Sequence, residues 1–439
     1  MSRSVKWGML AVITAATVTA LMVSGVAAGK NSATSGPTTL PSSSCGPLFY
    51  KGSGKPQYIV ASDLPLQGAG RAQNLAMGQA IRFVLEKQYK FKVGKFTVGY
   101  QECDDSTAAK GAWDPAKCSA NGRAYASDKS VLGVLGTFNS GCSKLMVPIL
   151  NRAPGGAVAM ISSANTNVGL THYAPWNDPG EPKIYYPTGV RNYARVAASD
   201  DYQGPAGADL LSKLTKVKSV FVVHDNQSFG KGVANAFQLR AKKLGIKVLG
   251  FEPWDSTATD YTALGQQIKD SGAESVYLGG IVCNNGVKVL KDLRSVVGPK
   301  PVFVGPDGWT PYSATAGAGS AAEGMFISYA GLPLQQLGAR GKAFQVGLRA
   351  YAKIKGQMPA YAVYQGQSAE IMFAAIARSN GTRASVTSQV FKTNVKNGIM
   401  GDIRFDKNGD TVPTKAITFS KMVKGDGVYA FVVITKVKG

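Results

Sequence analysis

The stretch VLGVLGTFNSGCSK, residues 131–144, decides the fold that the sequence predicts. Residues 131–136 form an apolar run of strand length, a polar loop follows, and an apolar segment of helical character begins at about Lys144. A short apolar run bounded by turn residues is typical of a strand buried on both faces of a parallel sheet. The stretch therefore predicts one strand-loop-helix unit of an α/β fold.

On both sides of this unit, strand-length and helix-length segments alternate in two blocks. The first block has predicted strands at 57–61, 96–100, 131–136 and 157–162, and predicted helices at 73–86 and 115–126. The second has predicted strands at 219–224, 247–252, 275–279 and 301–304, and predicted helices at 231–244, 261–271 and 286–296. Asp114 is a candidate N-cap, with Pro115 in the first helical turn. Two such blocks predict two doubly wound α/β lobes, each with a parallel sheet covered on both faces.

The amino-terminal residues have the pattern of an export signal. Arg3 and Lys6 precede an apolar run from residue 10 to residue 26, and small residues end at Ala28, after which we expect cleavage. The alternative is an uncleaved membrane anchor. No cysteine closely follows the run, so we expect no lipid anchor. Residues 29–55, rich in Ser, Thr, Gly and Pro, are predicted to be a flexible leader. The chain is thus predicted to be exported to the periplasmic or extracellular face of the cell envelope.

The composition is that of a globular protein with a basic surface. Hydrophobic residues make up 44% of the 439 residues and charged residues 17%. Loss of residues 1–28 would lower the formal net charge from +23 to +21, because Arg3 and Lys6 are the charged residues removed. Such a charge raises the possibility of nucleic-acid binding, but the lysines are scattered and no basic run or RNA motif occurs. We therefore expect no nucleic-acid partner and a basic surface facing an anionic envelope.

The cysteines and histidines limit disulfide and metal chemistry. Cys103 could pair with Cys118 or with Cys142, and the odd total of five cysteines leaves at least one thiol without an intramolecular partner. Because the chain has two histidines, it cannot build a metal site from three or more of them. Residues 406–410 resemble the start of a calcium loop but lack its sixth-position glycine, so a hairpin turn is predicted instead. We expect neither metal nor cofactor.

Loops that follow strands are the places to look for ligand contacts, because open α/β sheets bind ligands at the carboxyl ends of their strands. In the loop 137–144, Ser140 or Ser143 with the N–H groups of a helix start would suit a carboxylate; the alternative is simple N-capping. The loop 162–167 (SSANTN) offers Ser163 and Thr166, or is only a turn.

Two loops of the second block suit the opposite end of a ligand. In VGPDGW (304–309), Asp307 could accept a hydrogen bond from an ammonium group, or could simply form the turn. Trp309 adds an aromatic wall or belongs to the core. In HDNQSFG (224–230), Phe229 could pack on a ligand side chain.

Catalytic motifs are scarce in this sequence. It has no G-x-S-x-G, H-E-x-x-H or G-x-x-x-x-G-K motif. Cys283 follows a predicted strand, but no histidine is placed near it, and a buried or lining thiol is the better interpretation. We therefore predict that the protein is not an enzyme; an exported enzyme using Cys283 or Asp307 is the alternative.

From about residue 56 to its end, the chain resembles the type I periplasmic binding proteins, specifically the leucine/isoleucine/valine-binding family of ABC importers. The segments that carry this resemblance occur in the family's order: ASDLPLQGAG (61–70), VLGVLGTFNSGCSK (131–144), ISSANTN (161–167), RNYARVAASDDYQGPAGADLL (191–211), VVHDNQSFGKG (222–232), YLGGIVCNNG (277–286), VGPDGW (304–309) and AAEGMF (321–326).

The resemblance implies two Rossmann-like lobes joined by three hinge crossovers. The first lobe is expected to take residues 56–188 and 332–404, and the second residues 189–331 and 405–439. It also implies an exported, monomeric solute-binding protein that closes on an amino acid or similar small metabolite and delivers it to an ABC permease in the membrane. The alternative is a protein of the same fold that senses its ligand and signals to a partner.

The family's ligand-binding positions can be transferred residue by residue. By the resemblance, Ser143 and Thr166 hold a ligand carboxylate, and the Ala164 carbonyl and the Asp307 side chain hold an amine. Phe229 stands at an aromatic position of the family. Asp307 replaces the family's longer glutamate, which leaves room for a water between the acid and the amine. Two further departures affect the pocket for the ligand's side chain: Gln73 stands where the family has a tyrosine, and residues 281–283 (IVC) replace tyrosines after the Gly-Gly strand.

Overall fold

The computed structural model describes residues 39–412 and 416–423, and the backbone of residues 428–434. The predicted export signal, residues 1–28, lies outside the described residues. Across the described ranges, no helix has the length and apolar character needed to cross a lipid bilayer.

The strands of the first half are β1 (Tyr58–Leu64), β2 (Lys92–Val93), β3 (Phe96–Asp104), β4 (Ser106–Thr107), β5 (Ala112–Trp113), β6 (Val131–Gly136), β7 (Ala159–Ser162) and β8 (Tyr193–Arg195). Those that follow are β9 (Ser219–His224), β10 (Lys247–Pro253), β11 (Ser275–Gly279), β12 (Val302–Gly305) and β13 (Phe326–Tyr329). The last are β14 (Asn394–Gly398), β15 (Gly401–Phe405), β16 (Thr411–Val412), β17 (Ile417–Met422) and β18 (Val428–Ile434).

The helices are α1 (Arg71–Phe83), α2 (Pro115–Ser127), α3 (Ser140–Asn151), α4 (Asp200–Leu210), α5 (Ser228–Lys243), α6 (Thr262–Asp270), α7 (Val287–Val297), α8 (Tyr312–Ala316), α9 (Ala339–Ala352), α10 (Ala360–Arg378) and α11 (Arg383–Phe391). The predicted cap of α2 is confirmed: the Asp114 carboxylate accepts hydrogen bonds from the Ala116 and Lys117 N–H groups at 2.9 and 3.1 Å. Such a cap supplies acceptors for N–H groups that have no partner within the helix.

Two large sheets form the framework of the protein. The first has the strand order β2-β3-β1-β6-β7-β8, and the second β10-β9-β11-β12-β13-β17-β18. Pairing is parallel except for β2 with β3 in the first sheet and for β17 with its neighbours in the second. The predicted fold class of two doubly wound parallel sheets is confirmed, with antiparallel strands added at the edges.

Helices cover both faces of each sheet, and the strand sequences show this directly. In β1, Val60 packs into a core that contains residues of α1 and α10, whereas Ile59 and Ala61 pack into a second core with residues of α2 and α3. In β9, Phe221 and Val223 face one core and Val220 and Val222 the other. Because successive side chains of a strand point to opposite faces, burial on both sides requires an uninterrupted apolar run.

The chain passes between the sheets three times: after β8, after β13 and after β16. Since β8 pairs with β7, the first sheet extends to Arg195, beyond residue 188, where the first lobe is predicted to end. The turn at 406–410 links β15 to β16, and the Asp406 N–H donates to the Asp410 carbonyl at 2.9 Å. The prediction of a hairpin turn there is confirmed.

A buried ionic cluster ties the crossovers together. The Arg195 side chain is fully buried and donates to Asp410 Oδ1 at 2.6 Å, to the Asn167 carbonyl at 2.7 Å and to Thr171 Oγ1 at 2.6 Å. His172 bridges Asp410 Oδ2 at 2.9 Å and Asp201 Oδ2 at 3.3 Å. Burial alone would lower the pKa of His172, but its bonds to the two carboxylates raise that pKa to about 9. The turn is therefore held by two cationic side chains at neutral pH.

The amino-terminal part of the described chain is attached to the edge of the first sheet. Cys45 and Phe49 form isolated bridges to Cys103 and Tyr100 of β3, and a disulfide joins Cys45 to Cys103. The Leu40 N–H donates to the Gln101 side chain at 2.9 Å. The prediction of a flexible leader over residues 29–55 is therefore wrong for residues 40–49, because a polar composition does not reveal pairing with a strand edge.

Both predicted cysteine pairings, Cys103 with Cys118 and Cys103 with Cys142, are also wrong. The disulfides are Cys45–Cys103 and Cys118–Cys142. Cys118 and Cys142 face each other from adjacent helices, and Cys103 lies on β3 opposite Cys45. Cys283 has a free thiol.

The ionic cluster predicts a large effect of Asp410→Asn on stability. Because the variant leaves Arg195 buried without its carboxylate, we expect the free energy of unfolding to fall by about 3–5 kcal/mol in urea titrations. Asp402→Asn is the control, since Asp402 pairs with Lys396 at an exposed site, and its effect should be much smaller. Equal losses in the two variants would contradict a stabilising role for the cluster.

Candidate functional site

The predicted ligand-binding loops meet where the carboxyl ends of the strands of the two sheets face each other. Helix α3 begins at Ser140, earlier than the predicted start near Lys144, and Asn139 is its N-cap residue. Ser140 and Ser143 therefore lie inside the first turns of the helix, and the expectation that either caps it is wrong. Ser140 Oγ instead accepts a hydrogen bond from the Asn167 N–H at 3.4 Å.

Ser143 belongs to a buried hydrogen-bond network. Its hydroxyl donates to Asn165 Oδ1 and lies 3.0 Å from Thr137 Oγ1. The Asn165 amide donates to the carbonyl oxygens of Thr137 and Phe138 at 3.0 and 2.8 Å. Asn165 thus joins the two loops predicted to bind an anion, and Ser143 is fully buried among protein groups.

Thr166 lies beside an acid of the second block. The Asp200 N–H donates to the Thr166 carbonyl at 2.8 Å, and the Thr166 hydroxyl lies next to the Asp200 carboxyl group. Both side chains are fully buried. Gln203, one turn further along α4, donates from Nε2 to Asp200 Oδ1 at 3.0 Å.

Asp307 is bound from both lobes. Gln203 Nε2 donates to Asp307 Oδ1 at 2.8 Å, and the Asp307 N–H donates back to Gln203 Oε1 at 3.0 Å. The Tyr361 hydroxyl donates to Asp307 Oδ2. Tyr361 lies on α10, which packs on the first sheet, whereas Asp307 follows β12 of the second. This hydrogen bond therefore crosses from one lobe to the other.

The two acids are buried and close enough to affect each other's protonation. Burial raises the pKa of Asp307 to about 6, although the hydrogen bonds from Tyr361 and Gln203 act in the opposite direction. Burial and the nearby Asp307 charge raise the pKa of Asp200 to about 8. At neutral pH Asp200 is therefore mostly protonated, and the pair carries about one negative charge.

The remaining predicted residues divide into site and core. Phe229 is half-buried and lies over Gly308, where an added Cβ would be 2.7 Å from its ring. Trp309 is fully buried in the core of the second sheet and donates from Nε1 to the Leu278 carbonyl at 2.8 Å. The option that Trp309 forms an aromatic wall of the site is therefore wrong. Ala164 is buried, and its N–H donates to Ser162 Oγ at 3.2 Å.

Three openings between the lobes are lined by described residues. One, of about 230 Å³, is lined by Asn167 and Asn177 from one lobe and Ser228 and Lys231 from the other; we name the other two. The first, which we call the central gap, has a volume of about 10 Å³ and is lined by Phe138 and Asn139 from one lobe and Ile281, Cys283 and Gly308 from the other. The second, which we call the side cavity, has a volume of about 880 Å³ and is lined by residues of α1, of the loop 310–313 and of the segment 351–361. Of the predicted site residues, Gln73 alone lines the side cavity, and Ser143, Thr166 and Asp307 line none of the three openings.

Sequence reasoning missed three residues of this network. Asp200 and Gln203 lie in the first turns of a helix that follows a crossover. The acidic pair Asp200-Asp201 is the sequence feature that could have indicated a polar site there. Tyr361 lies within an apolar helix and carried no motif signal. Its ring packs edge-on against Phe138 with centroids 5.8 Å apart, so it links the loop after β6 to Asp307.

One cluster of possible metal ligands occurs among the described residues. Oxygen and sulfur atoms of Asp63, Asp105, Cys118 and Cys142 lie within 4.8 Å of one another in the first lobe. The two cysteines are joined in a disulfide, so they offer no thiolates for coordination.

Comparisons with known proteins agree with this geometry. A family model described as "Periplasmic binding protein" matches residues 64–427. An amino acid binding protein of Pseudomonas aeruginosa is 25% identical over 320 residues, which make up 72% of this chain and 79% of the relative.

Two solved structures share the fold. A branched-chain amino acid transporter substrate binding protein of Streptococcus pneumoniae, in complex with isoleucine, has a TM-score of 0.72 at 19% identity over 86% of this chain and 99% of that one. An ABC transporter solute binding protein of R. palustris, in complex with 4-hydroxybenzoate, has a TM-score of 0.70 at 15% identity over 86% of this chain and 97% of that one. The proteins matched are binding proteins rather than enzymes, as the sequence motifs predict.

The raised pKa of Asp307 predicts how stability depends on pH. As pH rises from about 4 to about 6, the unfolded chain loses the Asp307 proton while the folded protein retains it, so the free energy of unfolding falls. Asp307→Asn removes this titration. We expect urea unfolding of the variant to show about 2 kcal/mol less loss of stability between pH 4 and pH 7 than the wild-type protein.

The control for this measurement is Asp270→Asn, which changes an exposed aspartate of α6. Its pH dependence should match that of the wild-type protein. If Asp307→Asn also matches the wild type, the Asp307 carboxylate is not held in the folded protein as described.

Proposed function

The chain belongs to the periplasmic binding protein family, and from this membership we propose that it is the exported solute-binding protein of an ABC importer, like the leucine/isoleucine/valine-binding proteins it resembles. Its ligand is an amino acid or similar small metabolite held between the two lobes. Its partner is a permease in the membrane, and the protein acts as a monomer. A sensor of the same fold would bind its ligand in the same way but would not stimulate a permease.

The observation that best supports this proposal is the hydrogen bond from Tyr361 to Asp307. It connects α10 of the first lobe to the loop after β12 of the second, at the carboxyl ends of the strands. Ligands of open α/β sheets bind at this location. The contact lies beside an aromatic cluster in which Tyr329 of β13 packs on Tyr361 and Tyr364 of α10. Hinge closure would bring these polar and aromatic groups of the two lobes together around a ligand.

Ligand recognition would follow from the chemistry of the two sides. Ser143, Thr166 and the N–H groups at the start of α3 suit a carboxylate, and Asp307 with the Ala164 carbonyl suits an amine. Isoleucine and 4-hydroxybenzoate, named with the two solved structures, both carry a carboxylate. A carboxylate is therefore the ligand group that we propose first, and the amine second.

Binding would change the balance between open and closed forms. In the closed arrangement Asn167 Nδ2 donates to the Ser228 carbonyl of the other lobe at 2.8 Å, and Cys283 Sγ lies 3.5 Å from where a Cβ on Gly70 would be. A ligand that contacts both lobes lowers the free energy of this form alone and shifts the population toward it. The permease would then recognise the closed form.

A thermal-shift screen tests the binding function. At a hundredfold excess over its dissociation constant, a ligand should add about 2.7 kcal/mol to the free energy of unfolding. Ser143→Ala and Thr166→Ala should each weaken carboxylate ligands, and Asp307→Ala should abolish the shift caused by an amine-bearing ligand. Ser388→Ala, at an exposed serine of α11, is the control and should leave every shift unchanged. Full shifts in all three site variants would refute the proposed contacts.

The rate at which the Cys283 thiol is alkylated tests whether the two lobes close on a ligand. Burial raises the pKa of this thiol to about 11, and the thiol lines the central gap. Alkylation by iodoacetamide at pH 8 should therefore be slow, and any ligand that raises the melting temperature should slow it further, as followed by mass spectrometry. Protein unfolded in urea gives the reference rate. A stabilising ligand that leaves the alkylation rate unchanged would argue against closure of the lobes over Cys283.

A further inference from the structure

The side cavity is the largest opening described between the lobes. Its volume of about 880 Å³ is near the upper end of the range for small-molecule sites, roughly 300–1,000 Å³. Its walls come from both lobes: Gln73 and Ala76 of α1 and Met358 from the first, and Thr310 and Tyr312 from the second. A solute in this cavity would contact both sides of the interface, as hinge closure requires.

Among the described residues, every charged side chain that lines the side cavity is cationic. They are Arg349, Lys353 and Lys355, which stand together near the end of α9 and in the loop after it. Arg349 Nη1 donates to the Ile354 and Gly356 carbonyl oxygens at 3.0 and 2.7 Å, which fixes the guanidinium group without neutralising it. The three side chains are exposed, so they form a positive rim that attracts anions.

The inner wall is apolar and aromatic, with a buried donor. The rings of Tyr312, Tyr329 and Tyr361 line it together with Ala76. Gln73 is 2% exposed, and its Nε2 amide has no hydrogen-bond partner among the described residues. A buried donor without a partner is costly unless a ligand or water accepts its hydrogen bond. The wall therefore suits an apolar or aromatic body that carries an acceptor.

The acid predicted to hold an amine does not line this cavity. Asp307 is 4% exposed, and both its carboxylate oxygens already accept hydrogen bonds from Gln203 and Tyr361. A solute in the side cavity meets the Tyr361 ring and not the carboxylate. Positive charges at the rim would repel an ammonium group.

Resting on the proposed binding function, we propose that the side cavity makes this chain specific for an anionic solute with an apolar or aromatic body and no required amine. The anionic group pairs with Arg349 and its neighbouring lysines at the rim, in place of the contacts proposed above with Ser143 and Thr166, neither of which lines this cavity. The body lies between the tyrosine rings and α1, where Gln73 Nε2 donates to an acceptor on it.

Two probes of matched shape test this proposal: 3-(4-hydroxyphenyl)propanoate and its uncharged amide, with leucine as the third ligand. Isothermal titration calorimetry should show that the acid binds more tightly than the amide and than leucine, and that added salt weakens the acid alone. Arg349→Gln should weaken the acid about tenfold, equivalent to about 1.4 kcal/mol, and leave the amide unchanged. Arg123→Gln, at an exposed arginine of α2, is the matched control and should change neither.

A second variant tests the location without removing a charge. Ser313 is exposed and lines the side cavity, so Ser313→Trp should fill it without disturbing the core and should abolish binding of the acid. Tight binding of leucine, unaffected by Arg349→Gln and Ser313→Trp, would overturn the inference while leaving the proposed function intact. If none of the three probes binds, the inference fails, and the thermal-shift screen alone decides the proposed function.

Discussion

The structure between the lobes depends on how a buried carboxylate is accommodated. Asp307 lies away from water, and its hydrogen-bond partners among the described residues are the neutral side chains of Gln203 and Tyr361. Removing a carboxylate from water is costly unless other groups donate hydrogen bonds to it. Those donors come from α4 and from α10, so satisfying one side chain brings elements of both lobes together. The polar contacts at this interface are arranged around that requirement.

The same principle operates at the crossovers, with a different outcome. There Asp410 has Arg195 and His172 as charged partners, which hold its pKa well below the usual range. The crossover cluster is therefore ionised and strongly held, whereas the pair Asp200 and Asp307 shares about one charge and is held by neutral donors. Crossovers held by charged groups, beside an interface held by neutral hydrogen bonds, suit a protein whose lobes separate and keep their relative alignment.

Much of the fold could be predicted from the sequence because its strands are unambiguous. Val131–Gly136, Ser219–His224 and Ser275–Gly279 are apolar runs with clear boundaries, and the structure has strands at these residues. The starts of helices were harder to predict. Helix α3 begins at Ser140, but its first turn is polar, so the apolar pattern in the sequence becomes visible only near Lys144. The cysteine pairing could not be predicted, because it depends on which strand edge residues 40–49 cover.

The candidate site was predictable in its position and not in its contacts. Strand order places the loops containing Ser143, Thr166 and Asp307 at facing sheet ends, and any sequence with this alternation would do so. The hydrogen-bond partners of these side chains are not evident from that order: Ser143 binds Asn165, and Asp307 binds Gln203 and Tyr361. Tyr361 is separated from Asp307 by 54 positions and lies in a helix with no local signal, so only the tertiary structure reveals the contact.

The segment at residues 40–49 has a consequence for how the protein behaves at high concentration. An unprotected outer strand is a template on which a second molecule can add a strand of its own, and this is a common start of aggregation. Cys45 and Phe49 occupy backbone positions along β3 that a second molecule would use, and the Cys45–Cys103 bond keeps them there through local opening of the sheet margin. The Cys45–Cys103 disulfide therefore keeps this edge of the sheet covered.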